Sequence, residues 1–163
     1  MDIGGTFGKV WKKAATIAVA WGVVSGVISL VTGIADPTGV LALGAAGILG
    51  LVGFAVSIAV GYFGAEQSAG GVKSEMGSAA VAGILAGIVY GIVATIVGLC
   101  FSAISMVVGI GAYAAGGMAE AGLAGGIGII GLIIAAVVGI PLAAIFGAIF
   151  GVIGGIIYAV IKK

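Results

Sequence analysis

SAAVAGILAGIVYGIVATIVGLCFSAISMVVGIGAYAAG, residues 78–116, carries no charged side chain from one end to the other, and the run at 122–161 repeats that feature. A helix built from either run is close to 60 Å long at about 1.5 Å per residue, roughly twice the thickness of a bilayer's hydrocarbon core. How these two runs are folded decides the architecture. If each is confined to hydrocarbon, each must hold two crossings joined by a tight apolar turn. Pro141 marks the place in the later run, because its ring removes a backbone donor and biases Ile140 away from helix. Gly98 marks it in the earlier one, near the midpoint and without the Cβ that resists a turn.

Outward from these runs lie two shorter apolar blocks, 14–35 and 39–65, each long enough to cross once. The expected architecture is therefore an all-α polytopic transmembrane bundle. Six spans are preferred, near 14–35, 39–65, 78–97, 99–116, 122–139 and 141–161, with four long spans as the alternative. Residues 1–13 read as a short interfacial amphipathic helix ahead of a single transmembrane domain at 14–163. In that segment Ile3, Phe7, Val10 and Trp11 share one helical face, while Asp2, Thr6, Lys9 and Lys13 share the other. A cleavable signal peptide is the competing reading of this basic start. The apolar run is too long for that, and further spans follow it.

Composition supports a lipid environment. Of 163 residues, 63% are hydrophobic and 7% charged, too few charges to cover a soluble domain of this length. The 34 Gly have neither the period of collagen nor the polar company of a linker or disordered tract. There is no His, no Arg and no Asn, so the net charge of +1 comes from six Lys against five carboxylates. Such a chain has no basic patch for nucleic acid. Cys100 has no partner for an internal disulfide and reads as a small buried hydrophobe.

Lys placement sets an orientation. With a cytoplasmic N-terminus, Lys9, Lys12, Lys13, Lys73, Lys162 and Lys163 all fall inside, with Asp36 on the outer face. Four and six crossings both satisfy this, and only the side of the loop at 116–121, which carries Glu120, distinguishes them. Trp11, Lys12, Lys13, Lys162 and Lys163 are the membrane-interface anchors, an amphipathic ring and cations that meet anionic lipid. The expected location is an integral membrane, a cell membrane or a viral envelope, with both termini cytoplasmic.

The glycines carry the packing expectation. Lipid solvates Leu as well as a neighbouring helix does, so helix association in a membrane depends on close backbone approach at small residues. Gly83, Gly87 and Gly91 form a GxxxGxxxG zipper, Gly147, Gly151 and Gly155 form another, and Gly22 and Gly26 make a single GxxxG. Hydroxyls lie along the same stripes. Ser25, Ser29, Thr32, Ser57, Ser102 and Ser105 define a polar path for water or a small solute, or else bond to the carbonyl one turn back.

Tyr62, Glu75, Gly77 and Gly83 are echoed by Tyr113, Glu120, Gly122 and Gly128, with a constant offset after the loop. A hairpin repeat, 39–97 and 99–139, would place both loops on the cytoplasmic side, as parallel repeats. This Tyr-containing, small-residue hairpin with a short Gly/Glu loop resembles the Gly-rich multi-span archaeal membrane proteins of unknown function. The resemblance covers about 62–128 and implies a membrane bundle. It brings no catalytic or binding residue.

Chemistry is limited by what is missing. Without His there is no imidazole catalysis and no His-ligated metal. All five carboxylates fall in termini or loops, with Glu75 and Glu120 expected in the first turns of helices, where the macrodipole favours negative charge. Rotor-ring proteolipids are similarly small and Gly-rich, but they need a carboxylate at mid-membrane, the default functional marker there. The expectation is a non-enzymatic structural or assembly subunit without cofactors. Its partners would be the lipid bilayer and either copies of itself or a larger membrane complex. An oligomeric pore or holin-like channel lined by the Ser/Thr/Gly stripes is the alternative, and an enzyme acting on lipid has the least support.

Overall fold

The computed structural model describes residues 2–35, 40–72, 74–115 and 121–162. Four helices account for nearly all of them: α1 (Ile3–Ala35), α2 (Val40–Ala69), α3 (Met76–Ala115) and α4 (Ala121–Ile161). All four are long and apolar enough to cross a membrane.

Local chemistry sets several of the ends. Asp2 starts α1 as its N-cap, with Oδ1 accepting the Gly5 N–H at 2.9 Å and its carbonyl accepting Thr6 N–H at 3.2 Å. α2 stops where Gly70 and Gly71 take φ of 65° and 80°. There the Gly71 N–H folds back onto the Glu66 carbonyl at 3.0 Å, satisfying a carbonyl the helix would leave unpaired. α3 starts after Glu75, whose carbonyl accepts Ala79 N–H at 3.0 Å. Glu75 thus precedes the first turn instead of lying in it.

The six-span expectation is overturned. Gly98 lies inside α3 and Pro141 inside α4, and neither helix breaks there. A turn at mid-membrane would strip several backbone groups of their partners where no water replaces them, whereas Pro141 removes one N–H from a helix that otherwise keeps its bonds. The long helices need no break, because the headgroup layers bring the bilayer to about 40–45 Å and tilt absorbs more. Residues 3–13 are not a separate helix either, since they run without interruption into the rest of α1.

At Gly98 an added Cβ meets nothing within 4 Å. Gly98→Ala is therefore expected to raise stability by up to about 1 kcal/mol, seen as a higher unfolding temperature in detergent. A clear loss would mean that Gly98 serves a turn after all.

The helices run up, down, up, down. Gly22 and Gly26 of α1 meet Val97 and Phe101 of α3 in parallel register, and Phe54 and Tyr62 of α2 meet Phe150 and Tyr158 of α4 likewise. α3 and α4 are antiparallel and share the most extensive contact. α2 and α3 each touch all three other helices, while α1 and α4 do not meet among the described residues. The cross-section is a rhombus with α2 and α3 on its short diagonal.

The interior inverts the pattern of a soluble protein. Ala14, Ala18, Ala65, Ala79, Ala82, Ala86 and Ala159 are buried, while Ile129, Ile130, Ile133, Ile134 and Val137 of α4 are more than half exposed. Small residues inside and large aliphatic ones outside is the arrangement expected where lipid solvates the exterior. Cys100 belongs to the outside: it is exposed, against the expectation that it would be buried.

One end of the bundle gathers the basic residues. Lys9, Lys12 and Lys13 of α1 lie at the end where α2 stops, α3 starts and α4 finishes with Lys162. Lys13 places its Nζ 4.9 Å from the centre of the Phe63 ring on α2. There the Tyr158 hydroxyl also donates to the Val72 carbonyl at 2.7 Å, tying the α2–α3 turn to the end of α4. α3 ends and α4 begins at the opposite end, with the α1–α2 connection. The two loops of the sequence echo therefore flank opposite ends, and the same-side reading of them falls with the six-span arrangement. Asp36, Lys73, Glu120 and Lys163 lie outside the described residues.

Candidate functional site

The two glycine zippers face each other. Ala79 stands opposite Gly155, Gly83 opposite Gly151, Gly87 opposite Gly147 and Gly91 opposite Ala143, so each turn up α3 matches a turn down α4. The approach is backbone to backbone. A Cβ on Gly87 would overlap the Gly147 carbonyl oxygen and sit 2.7 Å from its carbon, and one on Gly147 would overlap the Gly87 oxygen in return. The same register extends to Met106, whose thioether packs on Gly128. At this separation helices gain dispersion contacts along their whole backbones, with Cα–H···O contacts as a secondary term.

Gly22 and Gly26 serve the α1–α3 contact differently. They admit side chains, with Val97 Cβ 2.8 Å from where a Gly22 Cβ would lie and the Phe101 ring over Gly26.

Two glycines outside the expected zippers matter as much. A Cβ on Gly61 would strike the Gly151 carbonyl, and one on Gly154 would strike the Ile58 carbonyl, so α2 packs on α4 as closely as α3 does. Gly154 and Gly155 are adjacent because successive helix positions point about 100° apart, which lets α4 meet α2 with one and α3 with the other. The Gly-Gly pair is the one sequence signal for this double contact. Among so many glycines it does not stand out.

The hydroxyls divide into two places. Ser25, Ser29, Ser102 and Ser105 come together, joined by Thr95, in a groove of about 630 Å³ over α3 where α1 and α4 fail to meet. Gly26, Gly98, Ala135 and Gly139 complete its small-residue lining. Ser25 donates to the Gly22 carbonyl at 3.2 Å, Ser102 to Gly98 at 3.0 Å and Ser105 to Phe101 at 3.0 Å. These bonds satisfy the protons within each helix and leave the oxygen lone pairs as acceptors. Thr32 is half-buried and donates to the Ile28 and Ser29 carbonyls, and it does not line the groove.

Ser57 is elsewhere. It is 3% exposed and lines a separate cavity of about 280 Å³ walled by all four helices. The expected single path is thus divided between two separate places, the groove over α3 and the cavity that Ser57 lines.

Of the interface anchors, Trp11 is 41% exposed with Lys12 Nζ 5.8 Å from its ring centre, and Lys162 is exposed. Ile3 and Phe7 are exposed as well, while Val10 of the same face is buried in the bundle. Among the described residues no group of three or more His, Cys, Asp or Glu could hold a metal ion.

Comparison with known proteins adds no relative: no family model, no curated protein and no solved structure matches the chain.

Proposed function

We propose that the chain is a non-enzymatic integral membrane subunit, folded as a self-contained four-helix unit and associating laterally with further copies of itself to build a larger membrane structure. The observation that carries this reading is the groove over α3, where Ser25, Ser29, Thr95, Ser102 and Ser105 lie among small residues on the lipid side of the bundle. Hydroxyls and surfaces without side chains are what draw helices together in hydrocarbon. The zipper glycines, with their backbones in contact inside one chain, are poor candidates for the surface between chains, so the association surface moves from the zippers to the groove. The gathering of Lys at one end supports an orientation with both termini cytoplasmic.

Ser102→Trp tests it, because the indole fills the groove from an exposed position. Native mass spectrometry in mild detergent is expected to show oligomers for the unaltered chain and monomers for the variant. A chain that is monomeric before substitution contradicts the reading.

The pore alternative draws on the same groove, whose volume of about 630 Å³ would become a hydroxyl-lined channel once a second copy closes it. It predicts dye leakage from liposomes that Ser29→Leu abolishes. No leakage from liposomes carrying verified oligomers removes it.

A further inference from the structure

The cavity lined by Ser57 has a floor and a mouth of different chemistry. Ser57 and Tyr90 are buried at its base, 3% and 6% exposed, while Phe54 and Phe146 at its rim are 44% and 50% exposed. It therefore opens sideways toward lipid, between α2 and α4. Trp21 and Phe150 line the walls, and Phe150 stacks on Phe54 with ring centres 4.7 Å apart. Among the described residues no charged side chain lines it.

The hydrogen bonding at the floor is incomplete in a specific way. Ser25, Ser102 and Ser105 each spend their proton on a carbonyl one turn back. The equivalent carbonyl for Ser57 is that of Gly53, which instead receives the Tyr90 hydroxyl at 3.4 Å. Ser57 Oγ is left buried without a partner. A buried donor with no acceptor is costly in a medium without water, and its proton is free for an acceptor in the cavity.

We propose that this cavity binds a small, uncharged, flat ring bearing a carbonyl oxygen, a quinone-class headgroup entering laterally from the bilayer, with Ser57 donating to the carbonyl. The aromatic walls supply faces for the ring, and the absence of charge excludes ionic headgroups. At about 30 Å³ per water-sized group the cavity holds roughly nine such groups, the scale of one or two fused rings. An acyl chain would fit the apolar walls, but it would leave Ser57 unmatched and has no use for aromatic faces. A tail attached to the ring would leave past Phe54 and Phe146 into lipid.

Trp11→Phe leaves Trp21 as the one tryptophan in the full chain, an emission probe in the cavity wall. Titrating menadione into this protein in micelles should quench Trp21 saturably, and naphthalene, a comparable ring without oxygen, should compete poorly. Ser57→Ala, which leaves the cavity open, should weaken menadione binding roughly twofold to tenfold, the worth of one hydrogen bond. Gly50→Leu, at a lining position where an added Cβ meets nothing within 4 Å, should abolish the saturable component while gel filtration and helicity stay unchanged. Quenching that rises linearly without saturation overturns the proposal. So does saturable binding indifferent to Ser57→Ala, which would make the cavity a general apolar pocket.

Discussion

Gly87→Leu is expected to break the α3–α4 interface, with a loss of stability of about 3 kcal/mol or more, at or beyond the upper end of ordinary overpacking. The reason is the identity of the obstructing atom. A side chain at Gly87 meets the Gly147 carbonyl oxygen and the Gly151 Cα, which are backbone and cannot rotate away. Two helices must then separate along their whole contact or shift register. Even Gly87→Ala should be destabilising, whatever it gains in helix propensity. Gly131→Ala on α4 is the matched control, because an added Cβ there meets nothing within 4 Å. It should be neutral or up to about 1 kcal/mol stabilising. Unfolding of the three variants by denaturant in detergent checks the ranking, and equal effects at Gly87 and Gly131 would mean that α3 and α4 are not packed as described.

The second large effect is all-or-none. In an up-down-up-down bundle α3 ends at Ala115 and α4 begins at Ala121 at the same end as Ala35 and Val40, opposite Lys9, Lys12, Lys13 and Lys162. A membrane-impermeant thiol reagent should therefore label Glu120→Cys and Asp36→Cys from one side and Lys12→Cys from the other, each in a Cys100→Ala background. Labelling of Glu120→Cys together with Lys12→Cys would restore six crossings.

Most helix boundaries are legible in the amino-acid sequence alone. The apolar blocks at 39–65, 78–116 and 122–161 correspond to α2, α3 and α4 with ends within a few residues, because charged and polar residues punctuate a chain that otherwise has almost none. The breaks expected at Gly98 and Pro141 fail for one physical reason. Hydrocarbon thickness is no ceiling on helix length, and the cost of an unsatisfied turn inside lipid is the stronger constraint. The N-terminal helix does not stop at residue 13 for a related reason. A change from amphipathic to apolar pattern is not a break when Val10 and Ala14 lie on one buried face.

The site is legible residue by residue and not as a constellation. Gly83, Gly87 and Gly91 are identifiable as a zipper from spacing, but spacing does not name the partner, and the choice between one chain and many requires the fold. Ser57 illustrates the opposite failure. It belongs to the same hydroxyl pattern as Ser102 and Ser105, yet its partner carbonyl is occupied by a residue 37 positions beyond Gly53, which no local pattern foretells.

The whole arrangement depends on the zippers closing within one chain. Mass action separates the two cases, since a contact between chains weakens on dilution and one within a chain does not. The measurement is the unfolding midpoint of the unaltered protein and of Gly151→Ala across a wide range of protein-to-detergent ratios. Gly151 meets both Gly83 and Gly61, so its substitution strikes the junction of three helices. The expected outcome is a drop in midpoint of constant size at every ratio, even if lateral association makes both midpoints drift together. A drop that shrinks to nothing on dilution would place the zippers between chains and overturn the fold described.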